Sequence, residues 1–537
     1  MTRTATQLLL PILFLQILFF TFVGRHRFDG DEGFYLLASR LVLMHKKPYL
    51  DFFYTQAPLL PYVYALWMKC FQVSWTLARI LSALLTALLG GLIYEHVCQQ
   101  TRTWLAGLAA VILFASSTLV FTWFTVVKTY SLAGLFLFCA YVVVSRLSAE
   151  SSVWLTAAGG LLFGLSVDTR SYLVLIIPVF VWWIFHNSET RTRLGSILLF
   201  LGGFIVGIFP CLYLFMSSPQ AFVFDNLGYH MIRANAGLIG MCQQKLSVVH
   251  MLFGGSQEGN GVQATILFAL TFGFIFSIDR SIRRRRYPPR LAFQIGAVLS
   301  IISFLPTPAY TQYFCLCVPF LLVGAVCVVN DLYVTLESSR ERLAAVVLYV
   351  VLLGIYLGAG ANDFRKVLTN DEVPGLHWAL VMKDDWRLQR IIEVSQAIDQ
   401  IAGPGEIVAS FWPGFVFQTK AIPFPGFEND FGVPVSEELT PEQRVRYHIL
   451  SPAEIETNFA AHVPRIVVVG PQNLLMKEVM GDTAKSLLRA HGYNLVKSIG
   501  DTSIYVCCTQ TVRQGDRNGA AVLLMMPTRL LGHSALF

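Results

Sequence analysis

Charge is what this 537-residue chain has least of. Asp, Glu, Lys and Arg make up 14% of it, against about 25% in ordinary globular proteins. With 55% hydrophobic residues and a mean hydropathy of +0.58, this shortage excludes a disordered chain, a coiled coil and an ordinary soluble enzyme. A polytopic membrane protein is left. The charge balance is also thin: 40 Lys and Arg against 33 Asp and Glu give +7. That is weak grounds for a nucleic-acid partner, because membrane proteins collect Lys and Arg in cytoplasmic loops. The ten cysteines scatter through apolar runs. Neither Cys315-Leu316-Cys317 nor Cys507-Cys508 has a partner cluster at zinc spacing, so the thiols read as small buried hydrophobes. There is no internal repeat and no nucleotide fingerprint; Gly403-Pro404-Gly405 is only a turn before a strand.

A helical span needs about 20 mainly apolar residues. The first run, 7–24, has no small-residue cleavage pattern and is followed by Arg25-His26-Arg27, which favours a retained anchor over a cleaved signal peptide. Further runs at 76–95, 104–121, 129–146, 153–167, 171–186, 195–216, 263–279, 291–306, 311–330 and 343–360 bring the expectation to about eleven spans. The apolar stretch 58–70 is short and reads as a surface helix. Arg280, Arg283, Arg284, Arg285, Arg286 and Arg290 crowd one loop. Placing it in the cytoplasm also puts Arg191, Arg193, Arg340, Arg342 and the N-terminus inside. It puts 25–75, 122–128, 168–170, 217–262, 307–310 and everything after 360 outside.

After residue 360 the chain turns polar and mixed. An amphipathic helix at 384–401, strands at Glu406–Ser410, Arg465–Gly470 and Ile504–Cys508, and helical patterns at 452–461 and 472–491 predict a small α/β domain. The division expected is therefore a transmembrane domain at 1–360, an extracytoplasmic α/β domain at 361–510 that covers the site or binds acceptor, and a disordered or surface-bound tail at 511–537.

Polar residues gather at the outer end. The first outer loop reads Phe28-Asp29-Gly30-Asp31-Glu32-Gly33-Phe34-Tyr35 and continues through Asp51, Gln56 and Pro58-Leu59-Leu60-Pro61. Carboxylates beside an apolar membrane surface are costly unless paired or used. Asp31 and Glu32 point about 100° apart on a helix, so at most one faces a given site. The bland reading, at even odds on periodicity alone, is a helix start with Asp29 or Asp31 as cap.

Asp-Glu-x-x-Tyr directly after the first span resembles the GT-C glycosyltransferases, and more closely glycosyltransferase family 39, which holds the protein O-mannosyltransferases and the lipid A aminoarabinose transferase. The likeness extends through Pro-Leu-Leu-Pro, the span count, the loop placement and the outer C-terminal domain. The resemblance implies a sugar taken from a polyprenyl-phosphate carrier outside the membrane and passed to a lipid, glycan or protein acceptor. It makes Asp31 the catalytic carboxylate, with Glu32 in support. A hydroxyl acceptor gains from a base at hydrogen-bond distance, and a phosphate leaving group needs cations rather than a general acid.

The candidate cations on the outer face are Lys128, Arg170, His230 and Arg233. Arg170 leads, because Asp168 can orient it and guanidinium binds phosphate bidentately. For each alone the bland alternative is a snorkelling side chain or a headgroup contact. Tyr35, Asp51, Gln56, Tyr130, Tyr172, Tyr310, Gln312 and Tyr313 are the candidate substrate contacts. Three departures from relatives stand out: Tyr54-Thr55-Gln56-Ala57 before the Pro element, Lys128-Thr129-Tyr130 where an acid is frequent, and Gln312-Tyr313 in place of a His-Tyr pair. They leave the sugar and any metal open. A divalent ion wants two or more carboxylates, which Asp31, Glu32 and Asp51 can supply, though no spacing demands it. Phe52, Phe53, Tyr54, Trp67, Trp75 and Trp123 read first as an interfacial aromatic belt. The alternative class is a transporter or flippase, which should show broken helices and repeated halves; a scaffold with a sensory outer domain is a minor third. Compact basic loops and the lack of sequons in the main outer loops lean towards a bacterial inner membrane.

Overall fold

The computed structural model describes residues 2–25, 29–147, 153–188, 192–233, 237–253, 261–270, 287–369, 387–470 and 483–507. His26, Arg27, Arg191, Arg280, the run Arg283–Arg286, the helical pattern at 472–482 and the tail lie outside the described residues.

The helices of the bundle are, in chain order, α1 (Thr2–Val23), α2 (Gly30–Leu43), α3 (Leu59–Phe71), α4 (Trp75–Thr101), α5 (Trp104–Ala115), α6 (Thr118–Trp123), α7 (Thr129–Ser145) and α8 (Val153–Thr169). A 3₁₀ turn at Ser171–Ile176 leads into α9 (Ile177–Asn187). Then come α10 (Arg193–Gly207), α11 (Phe209–Ser217), α12 (Pro219–Val223), a π-helical turn at Phe224–Gly228, α13 (Tyr229–Arg233), α14 (Gly237–Phe253), α15 (Gly261–Leu270) and α16 (Pro288–Ile302). A second 3₁₀ turn, Thr311–Cys317, leads into α17 (Val318–Thr335), and α18 (Ser339–Thr369) closes the bundle.

The span count differs from the expectation. Among the described residues, by length and composition three helical stretches can cross a membrane, Trp75–Thr101, Thr311–Thr335 and Ser339–Thr369, and a fourth if the pair α10–α11, bent by 57°, is one span. Eight further apolar helical stretches there run 10–17 residues, Pro11–Val23 of α1 among them. Local chemistry explains several breaks. Pro178, Pro210 and Pro319 each sit at the first turn of a helix, where their missing N–H costs nothing. The expected span 104–121 breaks at Ser116-Ser117 into α5 and α6.

Two packing features position the site. First, α8 and α10 meet through glycines. A Cβ on Gly160 would lie 1.9 Å from the Phe200 carbonyl oxygen, and on Gly203 2.0 Å from that of Ala157; Gly164 and Gly207 are nearly as tight. Small residues four apart let helix backbones touch. Second, α2, α3 and the start of α4 share one buried cluster with the C-terminal domain, including Phe34, Tyr64, Trp75, Ile391, Val408, Trp412 and Ile466.

The C-terminal domain begins with α19 (Leu388–Ile401) and carries a mixed sheet in the order β2-β1-β3-β5-β4. The expected strands are β1 (Ile407–Ser410), β3 (Ile466–Val469) and β5 (Thr502–Cys507); β2 (Ile422–Pro423) and β4 (Tyr493–Ile499) were not foreseen. β1 pairs parallel with both β2 and β3, and β5 pairs antiparallel with β3 and β4. The short helix α20 (Gly414–Phe417), a 3₁₀ stretch at Asp430–Glu438, α21 (Pro441–Tyr447), α22 (Pro452–Ala460) and α23 (Thr483–Ala490) complete it. The aromatic belt reading fails for most of its members. Phe52, Phe53, Tyr54 and Trp75 are buried in the cluster shared with the C-terminal domain, and Trp123 in the core of the bundle.

Candidate active site

The helix-start reading of the acidic loop holds for Asp29. Asp29 is the cap of α2: its Oδ1 accepts the N–H of Asp31 at 3.0 Å. Glu32, three residues on, completes the capping box by accepting the Asp29 N–H at 3.1 Å. Glu32 is fully buried and does more than cap. Arg79 of α4 grips it with two N–H groups at 3.0 and 2.6 Å, and the Val127 N–H adds a third donor at 3.0 Å. Arg79 also reaches the Val23 carbonyl, tying the end of α1 and the starts of α2 and α4 together. Glu32 thus faces the fold. Asp31, about 100° round the helix, keeps 32% of its side chain exposed.

Lys128 caps no helix with its side chain; it sits between the two aspartates, 2.7 Å from Asp29 and 2.9 Å from Asp31. Its third contact is Gln312 Oε1 at 2.9 Å. An ammonium has three N–H donors, so in this arrangement all are in use. The structure therefore places Lys128 on carboxylates, not on an open anion site. Burial pushes the Asp29 carboxyl up to about 6, with Lys128 acting against it.

The two 3₁₀ turns bring the other predicted residues together. Arg170, at the end of α8, is buried, and its guanidinium stands 4.6, 4.8 and 5.1 Å from the rings of Tyr130, Tyr172 and Tyr313. It donates to Thr129 Oγ1 at 2.6 Å, and its Nε has no partner. Among the described residues no carboxylate pairs with it. The expected helper, Asp168, turns elsewhere. It accepts the Cys211 N–H at 3.0 Å, capping the first turn of α11. Tyr35 is buried and Tyr313 half-buried between the two groups, each feeling the charges of Asp31, Lys128 and Arg170. Tyr310 is partly exposed and meets Tyr313 edge-on at 5.7 Å.

The long loop after α11 supplies a wall. His230 Nε2 lies 3.2 Å from the Thr55 carbonyl, which it meets as donor. Arg233 donates to the Tyr229 hydroxyl at 3.3 Å and lies over the Phe431 ring at 5.4 Å. Asp51 and Gln56 fall away from the carboxylates. Asp51 is exposed and accepts the Lys47 N–H at 2.6 Å, closing a turn. The Gln56 carbonyl accepts the Tyr49 hydroxyl at 2.5 Å. Asp31, Glu32 and Asp51 consequently do not form a metal ligand set, and among the described residues no group of three His, Cys, Asp or Glu does. One oxygen pair is tied to Arg79 and another to a turn, so no step below runs through a metal.

Three residues at the site had no place in the sequence reading. Arg79 was visible as a lone charge in an apolar span, the signal that an intramembrane charge is paired or functional. Asp225, buried in the π-helical turn, accepts the Tyr54 N–H at 3.0 Å while its other oxygen has no partner; π-turns recur at functional sites. Asp430 comes from the C-terminal domain. Burial pushes its carboxyl up to about 7, with the charge of Asp31 adding to the rise and Arg233 opposing it.

The sequence profile of the family described as dolichyl-phosphate-mannose-protein mannosyltransferase matches residues 55–214. Among solved structures, ArnT from Cupriavidus metallidurans bound to undecaprenyl phosphate superimposes with a TM-score of 0.58, covering 93% of this chain and 97% of that one at 14% identity. The chain shares the fold of that ArnT. The apo form of the same ArnT gives 0.58 at 13% identity, covering 94% and 98%. The apo oligosaccharyltransferase of Archaeoglobus fulgidus gives 0.50 at 12%, covering 95% of this chain and 75% of that one. No curated protein sequence matches. At these identities the structural likeness speaks for the shared fold alone.

Proposed function

We propose that the protein moves a sugar from a polyprenyl-phosphate donor to an acceptor hydroxyl on the extracytoplasmic side of the membrane, inverting the anomeric centre. The observation that carries this is the pairing of one accessible carboxylate, Asp31, with a buried arginine, Arg170, that has no acidic partner among the described residues. A buried, uncompensated guanidinium is expensive, and a phosphate would compensate it in the bidentate geometry that guanidinium favours. The undecaprenyl phosphate in the ArnT structure is a ligand of that chemistry.

In this reading Asp31 takes the proton of the acceptor hydroxyl. The oxygen attacks the anomeric carbon, the bond from that carbon to the phosphate oxygen breaks, and the electron pair leaves with the lipid phosphate. Arg170 meets the charge that develops there. Lys128, 2.9 Å from Asp31, holds that carboxylate aimed rather than binding phosphate itself. Tyr130, Tyr172 and Tyr313 fix the guanidinium plane, Tyr35 and Tyr310 line the passage between base and phosphate, and Arg233 and His230 close the far side.

Orientation follows the positive-inside rule. Arg102, Arg146, Arg193, Arg290, Arg340 and Arg342 all stand at the helix ends away from Asp31. This supports a cytoplasmic N-terminus, with residues 1–360 as the membrane domain and the C-terminal domain outside. A bacterial inner membrane fits the same pattern. The 57° break between α10 and α11 is the kind of feature a transporter would show, but Asp168 satisfies the freed backbone there, so it has a local explanation.

The test is transfer of radiolabelled sugar from a panel of polyprenyl-phosphate donors by purified protein in lipid. Asp31→Asn should lower turnover by about 10²–10⁴-fold without moving the thermal unfolding midpoint. Full turnover by a folded Asp31→Asn protein removes Asp31 as the base. Donor-independent movement of substrate across vesicles, unchanged by that substitution, would favour a flippase.

A further inference from the structure

The face of α2 that lies behind Asp31 is shaped to receive the C-terminal domain. At about 100° per residue, Gly33 and Arg40 stand about 20° apart and about 160–180° from Asp31. Gly33 leaves a gap that Trp412 fills: a Cβ there would lie 2.7 Å from Trp412 Cε2 and 2.8 Å from the Gly414 backbone nitrogen. Trp412 donates its Nε1–H to the Gly30 carbonyl at 2.9 Å and stacks on Trp75 with centroids 5.8 Å apart and planes 13° from parallel. Two turns along the helix, Arg40 is buried and donates to the carbonyls of Val416 at 2.7 Å, Phe417 at 3.4 Å and Ala421 at 2.6 Å. Those carbonyls belong to the end of α20 and the turn after it; that of Val416 also accepts the Thr419 N–H at 3.1 Å. One stretch, 412–421, thus holds α2 at two points about 10 Å apart.

We propose that segment 412–421 is the positioning element of α2, with Trp412 and Arg40 fixing the height and rotation at which Asp31 meets the acceptor. The inference rests on Asp31 as base. It makes the C-terminal domain a part of the catalytic geometry, where the sequence suggested a cover or an acceptor-binding module. Lys128 and Gln312 restrain Asp31 from the front, and the Trp412 ring and the carbonyl triad restrain its helix from behind. Arg170 is carried by α8 and its cage by α7 and the 3₁₀ turns, none of which joins the 412–421 contacts described here. Loosening the clamp therefore acts on the base and leaves the phosphate end alone.

The experiment uses full-length protein in lipid nanodiscs, with Trp412→Ala, Trp412→Phe and Gly33→Ala. Backbone hydrogen exchange is read by mass spectrometry and transfer kinetics with the radiolabelled polyprenyl-phosphate donor panel. Exchange of the α2 amides from Phe34 to Ser39 should rise about 10-fold or more in Trp412→Ala and Gly33→Ala, with α8 unchanged. kcat should fall by about 10–100-fold, since a misplacement near 1 Å costs that much, while donor KM stays within about two-fold. Trp412→Phe, which keeps the ring, should recover most of both. Unchanged α2 exchange in Trp412→Ala, equal loosening of the whole bundle, or a loosened α2 with unchanged kcat overturns the proposal. If Asp31→Asn keeps full activity, the base reading fails by itself, and the exchange data still decide whether the segment positions α2.

Discussion

Two buried arginines at the same end of the bundle have opposite surroundings. Around Arg79 every need is met: Glu32 takes two of its N–H groups, the Val23 carbonyl a third, and the pair is sealed from solvent. Around Arg170 there are three phenol rings, one threonine hydroxyl and, among the described residues, no acid. Burying a charge is tolerable when a partner of opposite sign and its hydrogen bonds come with it. The first arrangement is complete as folded and serves the fold. The second is electrostatically unfinished, and a ligand with an anionic head would complete it. The same contrast separates Glu32 from Asp31, neighbours in sequence with a closed and an open carboxylate.

The contrast can be broken from either side. Arg79→Ala strands the Glu32 carboxylate in the core, and stability should fall by about 3–5 kcal/mol, measured as loss of folded protein in chemical denaturation in lipid; Glu32→Gln in the same background should restore part of it. Arg170→Met should do the reverse. It removes an uncompensated buried charge, so the thermal midpoint should hold or rise, while donor KM climbs by about 10–100-fold, the worth of a charge-assisted hydrogen bond of about 1.5–3 kcal/mol. A fall in stability as large as that of Arg79→Ala would mean that Arg170 has a hidden structural partner and that the two sites are alike.

A smaller effect comes from the C-terminal domain. Burial raises the carboxyls of Glu428 and Asp430 to about 7 each, against about 4 when unfolded. The folded chain holds more protons between those values, so this contribution to stability is full below about pH 4 and is lost as pH rises through about 7. The thermal midpoint should be higher at pH 5 than at pH 8, and Asp430→Asn should flatten that slope. A midpoint that rises with pH over this range would show that both carboxylates are paired.

Much of the site was legible because its signals are local. A short acidic loop after an apolar run announces a capped helix, and Asp29 caps it. Alternation of spans placed Lys128, Arg170, Tyr172, Gln312 and Tyr313 at one end, and the fold brings these five to the Asp31 end of the bundle. What could not be read depended on contacts distant in sequence. The partner of Glu32 is 47 residues away, and that of Arg40 is some 380 away. Asp168, two residues from Arg170, looked like its helper but points to α11, because periodicity fixes the face of a helix and not which neighbour lies there. Of about eleven spans expected, three are long and apolar enough to cross a membrane among the described residues, and other apolar runs there form shorter helices. Hydropathy sums along a run and is blind to a 3₁₀ turn or a proline that breaks one apolar stretch into two pieces. The 3₁₀ turns at Ser171–Ile176 and Thr311–Cys317 carry Tyr172 and Tyr313, and Arg170 stands directly before the first.

The glycine seam between α8 and α10 gives Arg170 a foundation. Gly164 and Gly160 lie six and ten residues before it, about 9 and 15 Å down the same helix. A methyl group at either position would force α8 off its neighbour and tilt its far end like a mast whose footing has shifted. A change from Gly to Ala deep in that helix seam, with no polar atom gained or lost, would then surface as poor recognition of a phosphate. In a map of this protein's tolerance to substitution, the donor site should cast a shadow reaching halfway across the membrane.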